Sequence, residues 1–183
     1  MYKSILFICS LFVIFSFKAN DGIYNYSVQT IRGESKSLSE FRGRKLLVIT
    51  LPIERSSNSD SFLISLDSLA NLNSVNLKVI AVPSIEDGFT FQNRDSLLAW
   101  YESRLSGNII ISDGLRTHRQ SGSDQSPLFR WLSSIGENQI FDTNPDSPCY
   151  KFFVNSTGDL YGVLNPTTNI SSLLFQRAMA LNQ

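Results

Sequence analysis

The segment RKLLVITLPIER, residues 44–55, decides the fold class of this chain. Its apolar part, Leu46 to Leu51, carries no charge and favours β structure, which predicts a strand buried on both faces. Asp60 is a candidate helix cap beyond this strand. Apolar residues then recur at helical spacing: Phe62, Leu66, Leu69 and Leu72. Because Leu77 to Val82 follows as a second apolar run, the region predicts a βαβ unit.

The middle of the chain continues the alternation of helices and strands. After Asp95, apolar and aromatic residues again recur at helical spacing: Leu97, Leu98, Trp100, Tyr101 and Leu105. A short strand is predicted at Ile109 to Ile111. Ser126-Pro127 provides an N-cap and a first-turn proline for another helix, and Gly136 is the predicted end of that helix.

The C-terminal part predicts a hairpin and a closing helix. Tyr150 to Asn155 and Asp159 to Val163 are the two strands, with Gly158 supplying a positive φ angle in the turn. The closing helix contains Leu173, Leu174, Phe175, Ala178 and Leu181. Strands that alternate with helices in this way predict an α/β layer architecture.

Composition limits the number of domains and the kind of partner. The chain has 183 residues, of which 42% are hydrophobic and 17% are charged, which predicts one globular domain with a core of ordinary size. Its 16 basic and 16 acidic residues give a formal net charge of zero. Nothing in that balance favours nucleic acid or an anionic membrane surface, so we expect an unidentified protein or small molecule as partner.

The N-terminus has the layout of a secretory signal peptide. In MYKSILFICSLFVIFSFKA, residues 1–19, Lys3 precedes an apolar run from Ile5 to Phe17, and Ala19 is the small residue at the candidate cleavage site. We therefore expect a single domain at residues 20–183 that is exported, either secreted or periplasmic, and that keeps no stable membrane span after cleavage. An uncleaved N-terminal anchor is the alternative, because Phe17 is large for a cleavage site.

Cysteine and histidine are too few for a disulfide or for zinc. Once residues 1–19 are removed, Cys149 is the only cysteine, so no intramolecular disulfide is expected. His118 is the only histidine and lies in a polar stretch, which predicts a solvated loop residue. One histidine and one cysteine cannot assemble a structural zinc site, and no metal or other cofactor is expected.

Six segments carry a family resemblance and follow one another in order: IYNYSVQTIRGESKSLSEFRGRKLLVIT (residues 23–50), LKVIAVPS (77–84), NRDSLLAWY (93–101), SPLFRWL (126–132), KFFVNSTGDLYGV (151–163) and NPTT (165–168). In order and approximate spacing they resemble the glutathione peroxidases. The resemblance implies a thioredoxin-like fold, with a central mixed β-sheet flanked by helices and an N-terminal β-hairpin.

The same resemblance implies a site whose reactive residues have been replaced. Glutathione peroxidases use a cysteine or selenocysteine that attacks the peroxide oxygen, supported by a glutamine, a tryptophan and an asparagine. Carried onto this chain, the reactive residue falls at or next to Arg55 and the glutamine at Glu86. The tryptophan and asparagine fall at Ser147 and Pro148. Because no cysteine lies between Cys9 and Cys149, a small shift of alignment does not restore the reactive thiol.

Two functional hypotheses follow for this degenerate site. The first is a binding or interaction module that keeps the scaffold and has lost peroxidase activity. In that case Arg55, Glu86 and Asp87 either form a charged cluster that binds a small polar ligand or make a solvated ion pair. The second is a thiol-dependent peroxidase or oxidoreductase that acts on hydroperoxides through Cys149, with glutathione or thioredoxin as reductant. Whether the chain is an enzyme stays open at this point.

Cys149 itself has two interpretations. It follows Pro148, which the resemblance offers as a cis-proline facing the active loop, and a nearby Arg55 would lower the pKa of the thiol. The alternative is a small buried hydrophobic residue at the start of a core strand.

Overall fold

The computed structural model describes residues 21–181. The predicted signal peptide, residues 1–19, lies outside the described residues, as does Cys9. Strands and helices follow one another in this order: β1 (Ser27–Gln29), β2 (Ser35–Ser37), β3 (Lys45–Leu51), α1 (Ser57–Leu72), β4 (Leu77–Pro83), α2 (Arg94–Glu102), β5 (Ile109–Ile111), α3 (Pro127–Ser133), α4 (Ile135–Asn138), β6 (Lys151–Val154), β7 (Leu160–Leu164) and α5 (Leu173–Ala180).

The main sheet has five strands in the order β5-β4-β3-β6-β7. β3, β4 and β5 are parallel, whereas β6 runs antiparallel to β3 and β7 antiparallel to β6. β1 and β2 form a separate antiparallel pair near the N-terminus. The predicted mixed sheet with an N-terminal hairpin is confirmed.

Each face of the sheet is covered by its own apolar layer. Alternate residues of β3 divide between the layers, so that Leu47 and Ile49 lie with α1, α2 and α5. Leu46 and Val48 lie with α3 and the N-terminal segment. Full burial of both faces explains why β3 is apolar along almost its whole length, as the sequence predicted.

The predicted ends of two helices are wrong. α1 is capped by Ser56, whose hydroxyl accepts from the Ser59 N–H at 3.1 Å. Asp60 lies inside the helix instead, and its carboxylate accepts from the indole N–H of Trp100 at 2.8 Å. Gly136 lies within α4 and does not end α3, because the chain turns already at Ser134.

Two local predictions of cap and turn are confirmed. The Ser126 hydroxyl accepts from the Phe129 N–H at 3.3 Å, with Pro127 in the first turn of α3. Gly158 has a φ of 99° in the turn between β6 and β7. A side chain there would also meet the Tyr24 ring at 2.7 Å, so this position requires glycine.

Candidate functional site

Three loops meet at one edge of the sheet and form a cleft. The loops that follow β3 and β4 leave the same edge because these strands are parallel. β6 is antiparallel to β3, so the loop that precedes β6 reaches this edge too. Together with the first turn of α1 they enclose about 350 Å³, which we call the front cleft. Its walls are Pro52, Ile53, Glu54, Ser59, Asp87 and Pro148.

Arg55 stands in the loop after β3 but turns away from the front cleft. Its guanidinium lies over the Trp100 ring, 5.6 Å from the ring centre, and donates to the Ser96 carbonyl at 2.6 Å. Both partners belong to α2, and the residue is exposed. An exposed arginine held on α2 supplies neither a nucleophile nor an oxidisable atom to the cleft.

Glu86 is a fixed acceptor that holds the loop before α3. Its carboxylate accepts from the Ser84 hydroxyl at 3.0 Å, from the buried Thr117 N–H at 3.0 Å and from the Ser121 hydroxyl. Partial burial opposes its ionisation, but the hydrogen bonds from Ser121, Thr117 and Ser84 outweigh that cost and hold the pKa of Glu86 below its usual value. Where the resemblance expects an amide, the chain therefore has an ionised group committed to structure.

The predicted cluster of Arg55, Glu86 and Asp87 does not form. Arg55 makes no ion pair with either acid within residues 21–181. Asp87 instead has its Oδ1 3.2 Å from His118 Nε2, with side chains only 10% and 15% exposed. The prediction of a solvated histidine is therefore wrong, because the Arg116–Ser126 loop folds back against the residues after β4.

The Asp87–His118 pair is close but poorly aligned. The imidazole Nε2 and the carboxylate are in contact, but the geometry does not form a hydrogen bond between them. Asp87 Oδ2 is buried with no hydrogen-bond partner in the described part of the chain. Burial raises the pKa of Asp87, although His118 pulls it down. The pKa values of the two acids after β4 thus shift in opposite directions, because only the Glu86 carboxylate accepts several hydrogen bonds.

Ser147 and Pro148 connect the front cleft to β6. The Ser147 carbonyl accepts from the Thr50 hydroxyl at 3.4 Å, and Pro148 lines the cleft. The expectation of a cis bond before Pro148 is wrong, since residues 21–181 contain no cis peptide. The backbone turn is made at Cys149 instead, which has a φ of 70° and donates its N–H to the Thr50 carbonyl at 2.9 Å.

The thiol of Cys149 is a weak acid in this structure. Burial raises its pKa to about 11, with Lys151 as the cation that acts in the opposite direction. Arg55 does not contribute, because its guanidinium is held against Trp100 of α2. Burial raises the pKa of the nearby Tyr101, and the Cys149 thiolate raises it further; the Tyr101 hydroxyl donates to the Pro52 carbonyl at 2.8 Å. Cys149 is therefore protonated at neutral pH.

Cys149 lies on the wall of a second cleft. It encloses about 290 Å³ between one face of α1 and the segment that follows β7, and we call it the lysine cleft. Its walls are Asn58, Ser61, Phe62, Ser65, Cys149, Lys151 and Pro166 to Ile170. Apart from Cys149, none of these residues was predicted from the sequence to belong to a site.

Lys151 is the charged group of the lysine cleft. The residue is only 1% exposed, and its ammonium donates to the carbonyls of Asn165 at 3.1 Å and Pro166 at 3.2 Å. Burial lowers the pKa of Lys151 to about 8. Strand alternation is the signal that would have found it, since Lys151 shares a sheet face with the core residue Phe153.

Comparison with known proteins defines the class of fold. No protein-family model and no curated protein sequence matches the chain. Among solved structures it is similar to Trgpx in its apo form, with a TM-score of 0.64 and 16% identity over 88% of this chain and 96% of that chain. It is also similar to T. cruzi GPX1, with a TM-score of 0.57 and 16% identity over 87% and 95% of the two chains.

A third similarity widens the comparison beyond the peroxidases. The pneumococcal exposed lipoprotein thioredoxin Etrx1 from Streptococcus pneumoniae has a TM-score of 0.53 and 15% identity over 85% of this chain and 98% of that chain. The chain therefore has a thioredoxin-like fold, as predicted. At these identities the likeness establishes the fold and not the chemistry. Residues 21–181 contain no helix of sufficient length and apolarity to cross a membrane.

Proposed function

We propose that this chain is an exported protein of glutathione peroxidase descent that has lost peroxidase activity and acts as a binding or interaction module. One observation carries the proposal: the loop after β3 offers Arg55, held on Trp100, where the resemblance requires a reactive thiol or selenol. Export rests on the N-terminal sequence alone.

The high pKa of the Cys149 thiol supports the proposed loss of peroxidase activity. The thiolate is the nucleophile in peroxide reduction, so the rate depends on the ionised fraction. With a pKa of about 11, only about one thiol in ten thousand is ionised at pH 7. A peroxidatic cysteine needs the opposite shift, because a lowered pKa raises the thiolate fraction.

The structural role of Glu86 supports the same proposal. All three of its described hydrogen bonds bind the carboxylate to neighbouring backbone and hydroxyl groups. A carboxylate used in this way stabilises a loop and has no N–H to donate to a reacting oxygen.

The alternative function is a thiol-dependent peroxidase or oxidoreductase acting on hydroperoxides through Cys149. Two observations favour it: Cys149 lines the lysine cleft, and the Lys151 ammonium stabilises its thiolate. Since no other cysteine lies in residues 20–183, the sulfenic acid would need an external thiol such as glutathione or thioredoxin as reductant.

Peroxide consumption by the purified protein separates the two functions. Hydrogen peroxide and an organic hydroperoxide are tested with glutathione and with thioredoxin, beside the variant Cys149→Ser. The proposal expects both proteins to match the protein-free background. Turnover by the wild type that disappears in Cys149→Ser would establish the alternative.

A further inference from the structure

We propose that the lysine cleft is a binding site for small aliphatic carboxylates, with Lys151 as the group that receives the carboxylate. The inference deepens the proposed function, because it assigns a ligand class to the binding module. It rests on an uncompensated buried charge, on the donors around it and on the apolar part of the same wall.

The positive charge of Lys151 is not paired with an acidic side chain in residues 21–181. Both described acceptors of the Lys151 ammonium are neutral carbonyl oxygens, and the ammonium has three N–H bonds. No Asp or Glu belongs to the cleft wall, and within residues 21–181 Lys151 makes no ion pair. Buried charges are normally paired, so an anion that enters the cleft removes an energetic cost that the protein itself leaves in place.

The amide side chains on the wall of the cleft can donate to a carboxylate. Asn58 and Asn169 line it with side-chain amides. The side-chain oxygen Oδ1 of Asn169 already accepts from the Ser171 N–H at 2.9 Å, which leaves the side-chain NH₂ group of Asn169 as a donor. The Ser61 and Ser65 hydroxyls donate to carbonyls of their own helix at 2.8 Å, so they are not donors for the carboxylate, which Lys151 and the amide groups receive.

The apolar groups of the wall favour an alkyl chain over an inorganic anion. Phe62 and Ile170 lie on the wall together with the pyrrolidine ring of Pro166 and the neutral thiol of Cys149. A volume of about 290 Å³ admits a ligand of a few carbon atoms. A carboxylate with a short alkyl chain therefore matches both halves of the cleft, whereas phosphate leaves the apolar half hydrated.

Butyrate is the probe, and butyramide is its neutral isostere. Each is titrated into the ¹⁵N-labelled protein at pH 7 while the backbone amide resonances of residues 149–151, 165 and 167–170 are followed. We expect saturable butyrate shifts with a Kd on the order of 1 mM, and butyramide and phosphate binding at least about tenfold weaker. Equal binding of butyrate and butyramide, or no shifts in these segments with butyrate, would overturn the proposal.

Two variants and one matched control locate the site. Lys151→Met should weaken butyrate binding at least about tenfold. Lys45→Met is the control, because Lys45 also donates to two backbone carbonyls, those of Met179 and Leu181, but lies outside the cleft. Ser61→Leu fills the mouth of the cleft at an exposed helical position and should block butyrate without touching the ammonium. Butyrate binding that survives Ser61→Leu and Lys151→Met alike contradicts the assignment.

Proton uptake gives an independent readout. At pH 8 about half of the Lys151 side chains are neutral, and a bound carboxylate favours the charged form. Cys149 is the other ionisable group on the wall and stays neutral at this pH. Calorimetric titration in buffers of different ionisation enthalpy should therefore show net proton uptake with butyrate and none with butyramide. Peroxide turnover is a separate measurement, so failure of the proposed function and failure of this inference are distinguishable.

Discussion

Lys151→Met should change the pH dependence of the free energy of unfolding. The wild-type ammonium has a pKa of about 8 in the folded protein against 10.5 for an ordinary lysine. Between these values the unfolded chain binds more protons than the folded one, so the wild type gains stability as pH rises through this window. Below pH 8 the full desolvation cost is present.

The magnitude follows from the two pKa values. The difference between these pKa values corresponds to about 3 kcal/mol, most of which is recovered between pH 7 and pH 10. Methionine has no charge to desolvate, so the stability of the variant lacks this pH-dependent contribution. The variant also loses the hydrogen bonds to the Asn165 and Pro166 carbonyls, but that loss is nearly the same at both pH values.

Urea unfolding at pH 7 and pH 10 measures the effect. The free energy of unfolding of Lys151→Met, relative to wild type, should fall by about 2–3 kcal/mol between pH 7 and pH 10. Lys45→Met is the control: burial also lowers the pKa of Lys45, but Lys45 is less buried than Lys151, and its difference from wild type should change less. A difference between Lys151→Met and wild type that is constant across the two pH values would refute the view of Lys151 as a desolvated ammonium.

Three further predictions concern Cys149 and Glu86. Cys149 has a left-handed φ of 70°, so Cys149→Gly should be more stable than Cys149→Ala by about 1 kcal/mol in chemical unfolding, and equal stabilities would contradict the strain. A thiol-specific reagent should label Cys149 in the folded protein far more slowly at pH 7 than in the unfolded chain, with the rate rising steeply towards pH 11; rapid labelling at pH 6 would count against a half-buried, neutral thiol. Glu86→Ala should cost about 1–3 kcal/mol because it leaves the buried Thr117 N–H unpaired, and Glu86→Gln should cost less; a neutral alanine variant would show that the loop is held elsewhere.

Local signals in the sequence predicted most of the fold. β3 and β4 were predicted from continuous apolar runs. The N-cap of α3 and the glycine of the β6–β7 turn were predicted from residues within three positions of each other. The cap of α1 was missed because Asp60 is a good cap by residue type, whereas its carboxylate binds Trp100 and Arg104, 40 and 44 residues away. A single sequence contains no local trace of such a contact.

The candidate site was predicted by residue type and not by contact. The absence of a cysteine between Cys9 and Cys149 is a property of the sequence, and no structure alters it. The direction of the Arg55 side chain, the contact of His118 with Asp87 and the raised pKa of Cys149 depend on neighbours that are distant in sequence.

The sequence by itself determined the order of strands and helices and the absence of a cysteine between Cys9 and Cys149. Both follow from side-chain chemistry and from spacing along the chain, which act over a few residues. Only the tertiary structure decided that Lys151 carries an unbalanced charge beside Cys149. The reason is physical: desolvation and Coulomb interactions depend on which groups surround a charge in space, and strand pairing brings those groups together from separate parts of the chain.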